Sequence, residues 1–316
     1  MSSRHHACLP PANRNKHRSF PIASIRGKLS AKAKLERIDP GRYLTTYFHE
    51  GLLARVSSSA YRDQLILKGG LSLYGRYGML ARPTVDVDLS ALSISHQPDV
   101  IQAVMREIVS IKLPDHLEFD TQGIEVRGIL EDAVYPGVRL KIPAQLGTQL
   151  GAAKYVLQVD VSFGARITPA PALLSFPRLL EPEGIPILGY PLETLIAEKF
   201  AAACELGTGN TRLKDFYDLA MIARREHLNA VRLRTAIQST FAARNTALET
   251  AAQVLSDEFG QNTTIQRQWQ QFLNRTRLKA PTHFAEVLHE IRRFLEPILS
   301  TNTQGIWQPD QAHWQE

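Results

Sequence analysis

The chain has 316 residues, 44% of them apolar, enough to bury a sizeable core and to form two lobes. Its formal charge of +6 is lopsided, because residues 1 to 39 hold nine Lys or Arg against two Asp or Glu, so the remainder is close to neutral and the sum alone does not mark a nucleic-acid binder. No apolar run approaches the ~20 residues of a membrane span, residues 1 to 11 lack the apolar core of a signal peptide, and Cys8 and Cys204 are too few for a disulfide framework or a zinc site; a globular protein with reduced thiols and cytoplasmic residence is expected.

Residues 1–23 place Arg4, Arg14, Lys16 and Arg18 among Pro, Ser and Asn, the composition of a basic, flexible tail. From 24 to 59 the spacing predicts helices, with Tyr43, Tyr47, Leu52 and Leu53 on an apolar stripe and a break near Asp39-Pro40-Gly41. Leu65-Ile66-Leu67 is a short apolar run that leads into Gly69-Gly70 and a helical turn from Leu71 to Tyr77. Glycines there let the backbone approach a ligand closely, and the exposed amides suit a phosphate.

Asp86-Val87-Asp88 follows sixteen residues later. Side chains alternate faces along a strand, so Asp86 and Asp88 share one side while Val85, Val87 and Leu89 form an apolar row on the other. Adjacent like charges cost free energy unless a cation offsets them, and hard divalent ions prefer such oxygen ligands. Each element alone is common, as a turn or as a solvated strand end. Their ordered spacing resembles the nucleotidyltransferase superfamily related to DNA polymerase β, whose signature is Gly-Gly or Gly-Ser, a short helix, then Asp-x-Asp or Asp-x-Glu.

Further along, 98–112 predicts a helix with Val100, Val104, Ile108 and Ile111 on one face. Beyond Pro114 the period changes to two: Val138, Leu140 and Ile142 alternate with Arg139 and Lys141, and Tyr155, Leu157, Val159, Val161 and Phe163 alternate with Val156, Gln158, Asp160 and Ser162. Asp160 therefore lies on a polar strand face, where polymerase β-like sites carry their third metal-binding carboxylate; the alternative is a strand residue facing solvent. Proline-rich 167–191 is expected to be an irregular crossing between a core over 24–190 and a helical lobe over 191–300, with 301–316 a flexible tail. Pro191 suits a first helical position, and helices are predicted near 230–243, 246–257, 264–274 and 283–299.

Lys199 falls on the inward face set by Leu195 and Ile196, where a lysine needs an anionic partner: an incoming triphosphate, or else a salt bridge to Glu193 or a snorkelling surface position. Thr211 is placed to cap a helix on which Asp215 and Asp218 share a face with Leu219 and Ile222. Acids on a core-facing stripe are unusual, and these are candidates to orient Lys199, Arg212 or the nucleotide, although an acid in a first turn also favours the helix dipole. Between Arg224 and Lys279 nine Lys or Arg face four Asp or Glu; Arg224, Arg225, Arg232, Arg234, Arg244, Arg275, Arg277 and Lys279 form a phosphate-binding wall or are scattered surface charges, with Trp269 and Phe272 nearby for stacking or for the core.

Five segments in order resemble the AbiEii/AbiGii-type nucleotidyltransferase toxins, relatives of the mycobacterial MenT toxins. They are Leu67-Lys68-Gly69-Gly70, Arg82-x-Thr84-x-Asp86-Val87-Asp88-Leu89, the Asp160 strand, the run from Pro191 to Phe200 containing Glu193, Glu198 and Lys199, and Arg212-x-Lys214-Asp215-x-Tyr217-Asp218-Leu219. Family members often have Thr after the double glycine and Ser before the acidic pair; this chain has Leu71 and Thr84, with Ser72 as a nearby hydroxyl. The resemblance implies an α/β (α+β) fold, a polymerase β-like core with a mixed sheet followed by a helical C-terminal lobe. It implies an Mg²⁺-dependent enzyme, with Mn²⁺ the alternative ion, that draws on an NTP, with Asp86, Asp88 and Asp160 as metal ligands and Lys199 and Asp215 as further catalytic residues. Gly69, Gly70, Ser72, Arg82, Lys199, Arg212 and Asp218 would bind nucleotide. By the same resemblance the acceptor is RNA, the tRNA 3′ end, blocking translation as a toxin in phage defence, and an AbiEi-like antitoxin is the cognate partner. Nucleotidyl or phosphoryl transfer to a protein such as the antitoxin, and a noncatalytic RNA-binding module, are the competing functions.

Overall fold

The computed structural model describes residues 22–131, 135–147, 152–209, 212–300 and 302–316; the expected basic tail over 1–23 lies almost wholly outside them, as do Cys8 and Thr211. The chain divides into two compact units, one of residues up to 164 with 172–189, the other of 165–171 with 190–316. Among the described residues no helix is long and apolar enough to cross a membrane.

In the first unit, α1 (Ile22–Glu36) and α2 (Pro40–Ser58) are separated where Asp39 caps α2, its carboxylate accepting from Gly41 N at 2.9 Å ahead of a proline in the first turn. β1 (Leu65–Leu67), α3 (Gly69–Tyr77), β2 (Asp86–Ala91) and α4 (Pro98–Ser110) follow. The buried face of α4 is Ile101, Val104, Met105, Ile108 and Val109, turned about one residue from the expected stripe, so that Val100 is exposed and Ile111 falls at the C-cap. β3 (Leu117–Phe119), β4 (Glu125–Glu131), β5 (Tyr135–Leu146), β6 (Ala153–Phe163), β7 (Ala172–Phe176) and β8 (Ile185–Gly189) complete the unit.

The strands join in one mixed sheet of order β3-β5-β6-β2-β1-β8-β7, with β4 on β5. β2 runs parallel to β6 and antiparallel to β1, while β1 meets β8 in parallel. The proline-rich segment expected to be irregular thus contains two strands. Pro186 is tolerated because β8 pairs with β1 only at Gly189, and the Pro186 carbonyl instead accepts from Ser57 Oγ at 2.6 Å.

Helix α2 is the buried spine of this unit and carries four polar side chains inward, Thr46, His49, Glu50 and Arg55. Arg55 donates to Asp115 at 3.1 Å from Nη2 and to the carbonyls of Gly51 and Leu117 at 2.9 and 3.2 Å. His49 Nε2 contacts the Val85 carbonyl at 3.1 Å, and burial lowers the imidazole to about 4, so the ring is neutral and donates there. Glu50 accepts from Leu179 N at 2.9 Å, tying the β7–β8 connection to α2.

Burial raises Glu50 from 4.5 to about 8. A carboxyl whose folded value lies above its unfolded value binds more protons when folded, so its stabilisation is complete below the unfolded value and is lost as pH rises through the folded one. Between about pH 4.5 and 8 this group therefore makes the unit progressively less stable. Glu50→Gln is neutral at every pH and its amide oxygen still accepts from Leu179; calorimetry should find its melting temperature several degrees above wild type at pH 9 and close to wild type at pH 5. A variant no more stable at pH 9 than the parent would show that the folded unit does not hold the Glu50 carboxyl above its unfolded value.

In the second unit, α5 (Leu192–Leu206), α6 (Leu213–Ala223), α7 (Ala230–Arg244), α8 (Thr250–Val254), α9 (Asp257–Gly260), α10 (Thr263–Thr276) and α11 (Phe284–Leu299) precede β9 (Ile306–Gln308) and β10 (His313–Gln315). Pro191 is the N-cap of α5 rather than its first helical residue. Trp269 is core, its indole N–H donating to the Pro281 carbonyl at 2.9 Å and its ring lying 5.5 Å from Phe272 and 5.8 Å from Phe284. The expected flexible tail over 301–316 instead forms the antiparallel β9–β10 pair. Its anchor is Trp307, buried 5.0 Å from the Phe294 ring with its indole N–H on the Ala223 carbonyl at 2.6 Å, while Trp314 stacks on Phe294 at 5.8 Å.

Candidate active site

In the first unit the site is built where β1 ends. Gly69 begins α3 at φ +63°, a conformation that a residue with a Cβ resists. A Cβ there would lie 1.9 Å from Oδ2 of Asp88, and a Cβ on Gly70 would lie 2.9 Å from a guanidinium nitrogen of Arg82. The double glycine is thus the floor against which two charged side chains rest. Lys68 N donates to the Asp88 carbonyl at 2.9 Å, which joins the turn to β2, and Thr84 Oγ1 donates to the Asp86 carbonyl at 3.3 Å.

Asp86 and Asp88 are half-buried on one face of β2, while Val87 and Leu89 are fully buried on the other. Val85 does not join that apolar row: it precedes the strand and is 63% exposed. In the parallel register of β2 and β6, Asp86 is opposite Gln158 and Asp88 opposite Asp160. Asp160 is 3% exposed, which removes the solvent-facing alternative. Both of its oxygens are engaged by Arg139 of β5, Nε to Oδ1 and Nη2 to Oδ2 at 2.7 Å each. Among the described residues no three His, Cys, Asp or Glu side chains already converge so as to hold an ion. Ser72, expected at the nucleotide, is fully buried in α3 and accepts from Arg76 at 2.7 Å.

Gly69→Ala puts a methyl group where the Asp88 carboxylate lies and forces a left-handed backbone on alanine. The expected result is a stability loss of about 1–2 kcal/mol in denaturant unfolding with a much larger fall in whatever activity depends on Asp88. Equal activity in the alanine variant would mean that the close approach has no chemical role.

The second unit holds the other candidates. Lys199 of α5 is buried and its Nζ lies 2.9 Å from Oδ1 of Asp215 and 2.6 Å from Oδ2 of Asp218, both on α6. Arg212 Nε lies 3.1 Å from the second oxygen of Asp215. Lys199, Arg212, Asp215 and Asp218 are thus joined in one charged cluster, of which Lys199, Asp215 and Asp218 are buried. Of the alternatives for Lys199, the bridge to Glu193 is not made, since Glu193 pairs with Arg232 at 3.1 Å. Arg212 itself is the N-cap of α6, without a side-chain cap bond.

The basic wall is mostly spent inside the unit. Arg224 pairs with Glu290 at 2.6 Å, Arg244 with Glu205 at 2.8 Å, and Arg234 donates to the Ile298 and Thr303 carbonyls. Arg275, Arg277 and Lys279 are exposed near the end of α10. Arg139 is the functional candidate missed by sequence reasoning: the alternation over 138–142 puts it on the polar face of β5, but only the β5–β6 register pairs it with Asp160.

A family model for the nucleotidyl transferase AbiEii toxin, type IV toxin–antitoxin system, matches residues 51–296. Among solved structures, the chain is similar to MenT4, a nucleotidyltransferase toxin of Mycobacterium tuberculosis H37Rv, at 18% identity and a TM-score of 0.52, covering 90% of this chain and 91% of that one. It is also similar to JHP933 from Helicobacter pylori, at 13% identity and a TM-score of 0.43, over 82% of this chain and 95% of that one. The MenT4 likeness establishes the mixed α/β nucleotidyltransferase fold. No curated protein matches the sequence.

Proposed function

The chain belongs to the AbiEii family of nucleotidyltransferase toxins of type IV toxin–antitoxin systems, and from that premise we propose that it transfers a nucleoside monophosphate from an NTP to RNA, at the 3′ end of tRNA, in the cytoplasm and so blocks translation. The observation that carries the chemistry is the pair Asp86 and Asp88 on one face of β2, resting against Gly69-Gly70, with Asp160 in register beside Asp88. An antitoxin is the partner that the family implies.

The residues fit a divalent ion. Asp86 and Asp88 are half-buried hard-oxygen donors on the same side of a strand, and the cradle between Asp88 and Gly69 is one that a Cβ would fill. Mg²⁺ is commonly held by one or two carboxylates together with substrate phosphates. When bound, it would supply charge stabilisation to the transferring phosphoryl group and acidify the attacking hydroxyl. Asp86 and Asp88 are the residues that would hold it.

The chain's own part is to bind and orient. The amides at the start of α3 offer donors to phosphate oxygens, with Gly69 and Gly70 permitting close approach. Arg82, packed against Gly70, supports the turn. Lys199, held by Asp215 and Asp218, is a fixed ammonium suited to a triphosphate, and Arg212 shares Asp215 with it. Ser72 has no part in this proposal.

The test is to incubate the purified chain with Mg²⁺, each labelled NTP and total tRNA. Label on tRNA that depends on Asp86 supports the proposal. Label only on protein would replace it by transfer to a protein acceptor, and no label with any NTP, alongside toxicity unaffected by Asp86→Ala, would remove the enzymatic basis of toxicity. A noncatalytic RNA-binding role is disfavoured by the ion pairs that occupy Arg224, Arg232 and Arg244.

A further inference from the structure

Arg139 faces Asp160 across β5 and β6, and Asp160 faces Asp88 across β6 and β2, so one cross-strand row runs Arg139, Asp160, Asp88. Direct neighbours in such a row have Cβ atoms about 5 Å apart. Asp160 therefore sits between a cation and a second carboxylate, and it is the cation that takes both its oxygens, at 2.7 Å each. A fork-to-fork contact of this kind is among the stronger charged hydrogen-bond arrangements. The partners differ in exposure, with the Asp160 side chain 5% and the Arg139 side chain 39% exposed. The buried carboxylate depends on a counter-charge, whereas the arginine has water within reach.

We propose that Arg139 is a positioning residue acting through Asp160: it neutralises that carboxylate in place, so that without nucleotide a divalent cation is held by Asp86 and Asp88 alone. This rests on the metal role proposed above for those two residues. The physical basis is competition. A guanidinium and a divalent cation seek the same oxygens, and the positive charge of Arg139, one strand beyond Asp160, also disfavours a second cation nearby. With Arg139 gone, two adjacent carboxylates, Asp88 and Asp160, would lack that compensation, an arrangement that favours a divalent ion. The pairing also explains how a nearly buried aspartate can be a direct neighbour of another in a sheet, where like charges otherwise oppose each other.

The experiment measures Mn²⁺ binding to the full chain by electron paramagnetic resonance, without nucleotide, for wild type, Arg139→Gln, Arg139→Lys and Arg139→Gln combined with Asp160→Asn. Arg139→Gln should bind Mn²⁺ on the order of tenfold more tightly than wild type. Arg139→Lys, which keeps the charge without the fork, should fall between them, and the double variant should return to the wild-type affinity. A purely architectural Arg139 would lower the melting temperature and leave Mn²⁺ affinity unchanged or weaker, and that result overturns the proposal. If Arg139→Gln does not fold, Arg139→Lys carries the comparison against wild type with the same two outcomes. If wild type binds Mn²⁺ in a manner dependent on Asp86 but neither Arg139 variant binds more tightly, the role of Arg139 alone falls. If wild type binds no Mn²⁺ at all, the metal role of Asp86 and Asp88 falls, and this proposal with it.

Discussion

Asp88→Asn is expected to lower nucleotide transfer by about a thousandfold or more, because a ligand to a metal that stabilises phosphoryl-transfer charge is worth several kcal/mol of barrier. The same substitution should leave the melting temperature unchanged or slightly higher. Asp88 and Asp160 are direct partners on adjacent strands, so removing one charge relieves repulsion, while the amide keeps the shape that rests against Gly69. Loss of activity without loss of stability separates a chemical role from a structural one. The measurement is tRNA labelling alongside thermal unfolding, and transfer within tenfold of wild type would remove Asp88 from the site.

Lys199→Met should have the opposite signature. It leaves Asp215 and Asp218 buried without the ammonium that contacts both of them. Removing one partner of a buried ion group costs about 3–5 kcal/mol, because the charge left behind is uncompensated. All three tryptophans, Trp269, Trp307 and Trp314, belong to the second unit, so intrinsic fluorescence follows its unfolding in denaturant directly. Neutralising the whole group, Lys199→Met with Asp215→Asn and Asp218→Asn, should recover most of the lost stability, since the two side chains that lost the ammonium are then uncharged. If Lys199 also meets the triphosphate, the recovered variant stays inactive. A folded triple variant with full transfer activity would reduce Lys199 to a structural role.

The remaining ambiguity in the basic helical region is resolved by partners rather than by composition. Arg224, Arg232 and Arg244 each meet a glutamate, all three of them more than 35 residues away along the chain. A charge count over 224–279 carries no information about such pairs. The same holds for Ser72, whose neighbour Arg76 is one helical turn on and whose burial follows from how α3 packs.

Local patterning by itself determined most of the elements: the break at Asp39-Pro40, the strand–glycine–helix turn at 65–77, the face shared by Asp86 and Asp88, and the alternation that sets Asp160 opposite the apolar row of its strand. Those follow from periods of two and 3.6 residues and from the conformational freedom of glycine, all properties of neighbouring residues. What only the tertiary structure decided was who stands beside whom. Strand register puts Asp160 between Asp88 and Arg139, the α5–α6 packing gives Lys199 to two aspartates rather than to Glu193, Gly189 and Leu67 draw a proline-rich segment into the sheet, and Phe294 turns an apparent tail into a hairpin. Pairings over such distances are set by closing the chain on itself and filling a core, and a one-residue slip in register would undo them without changing any local pattern.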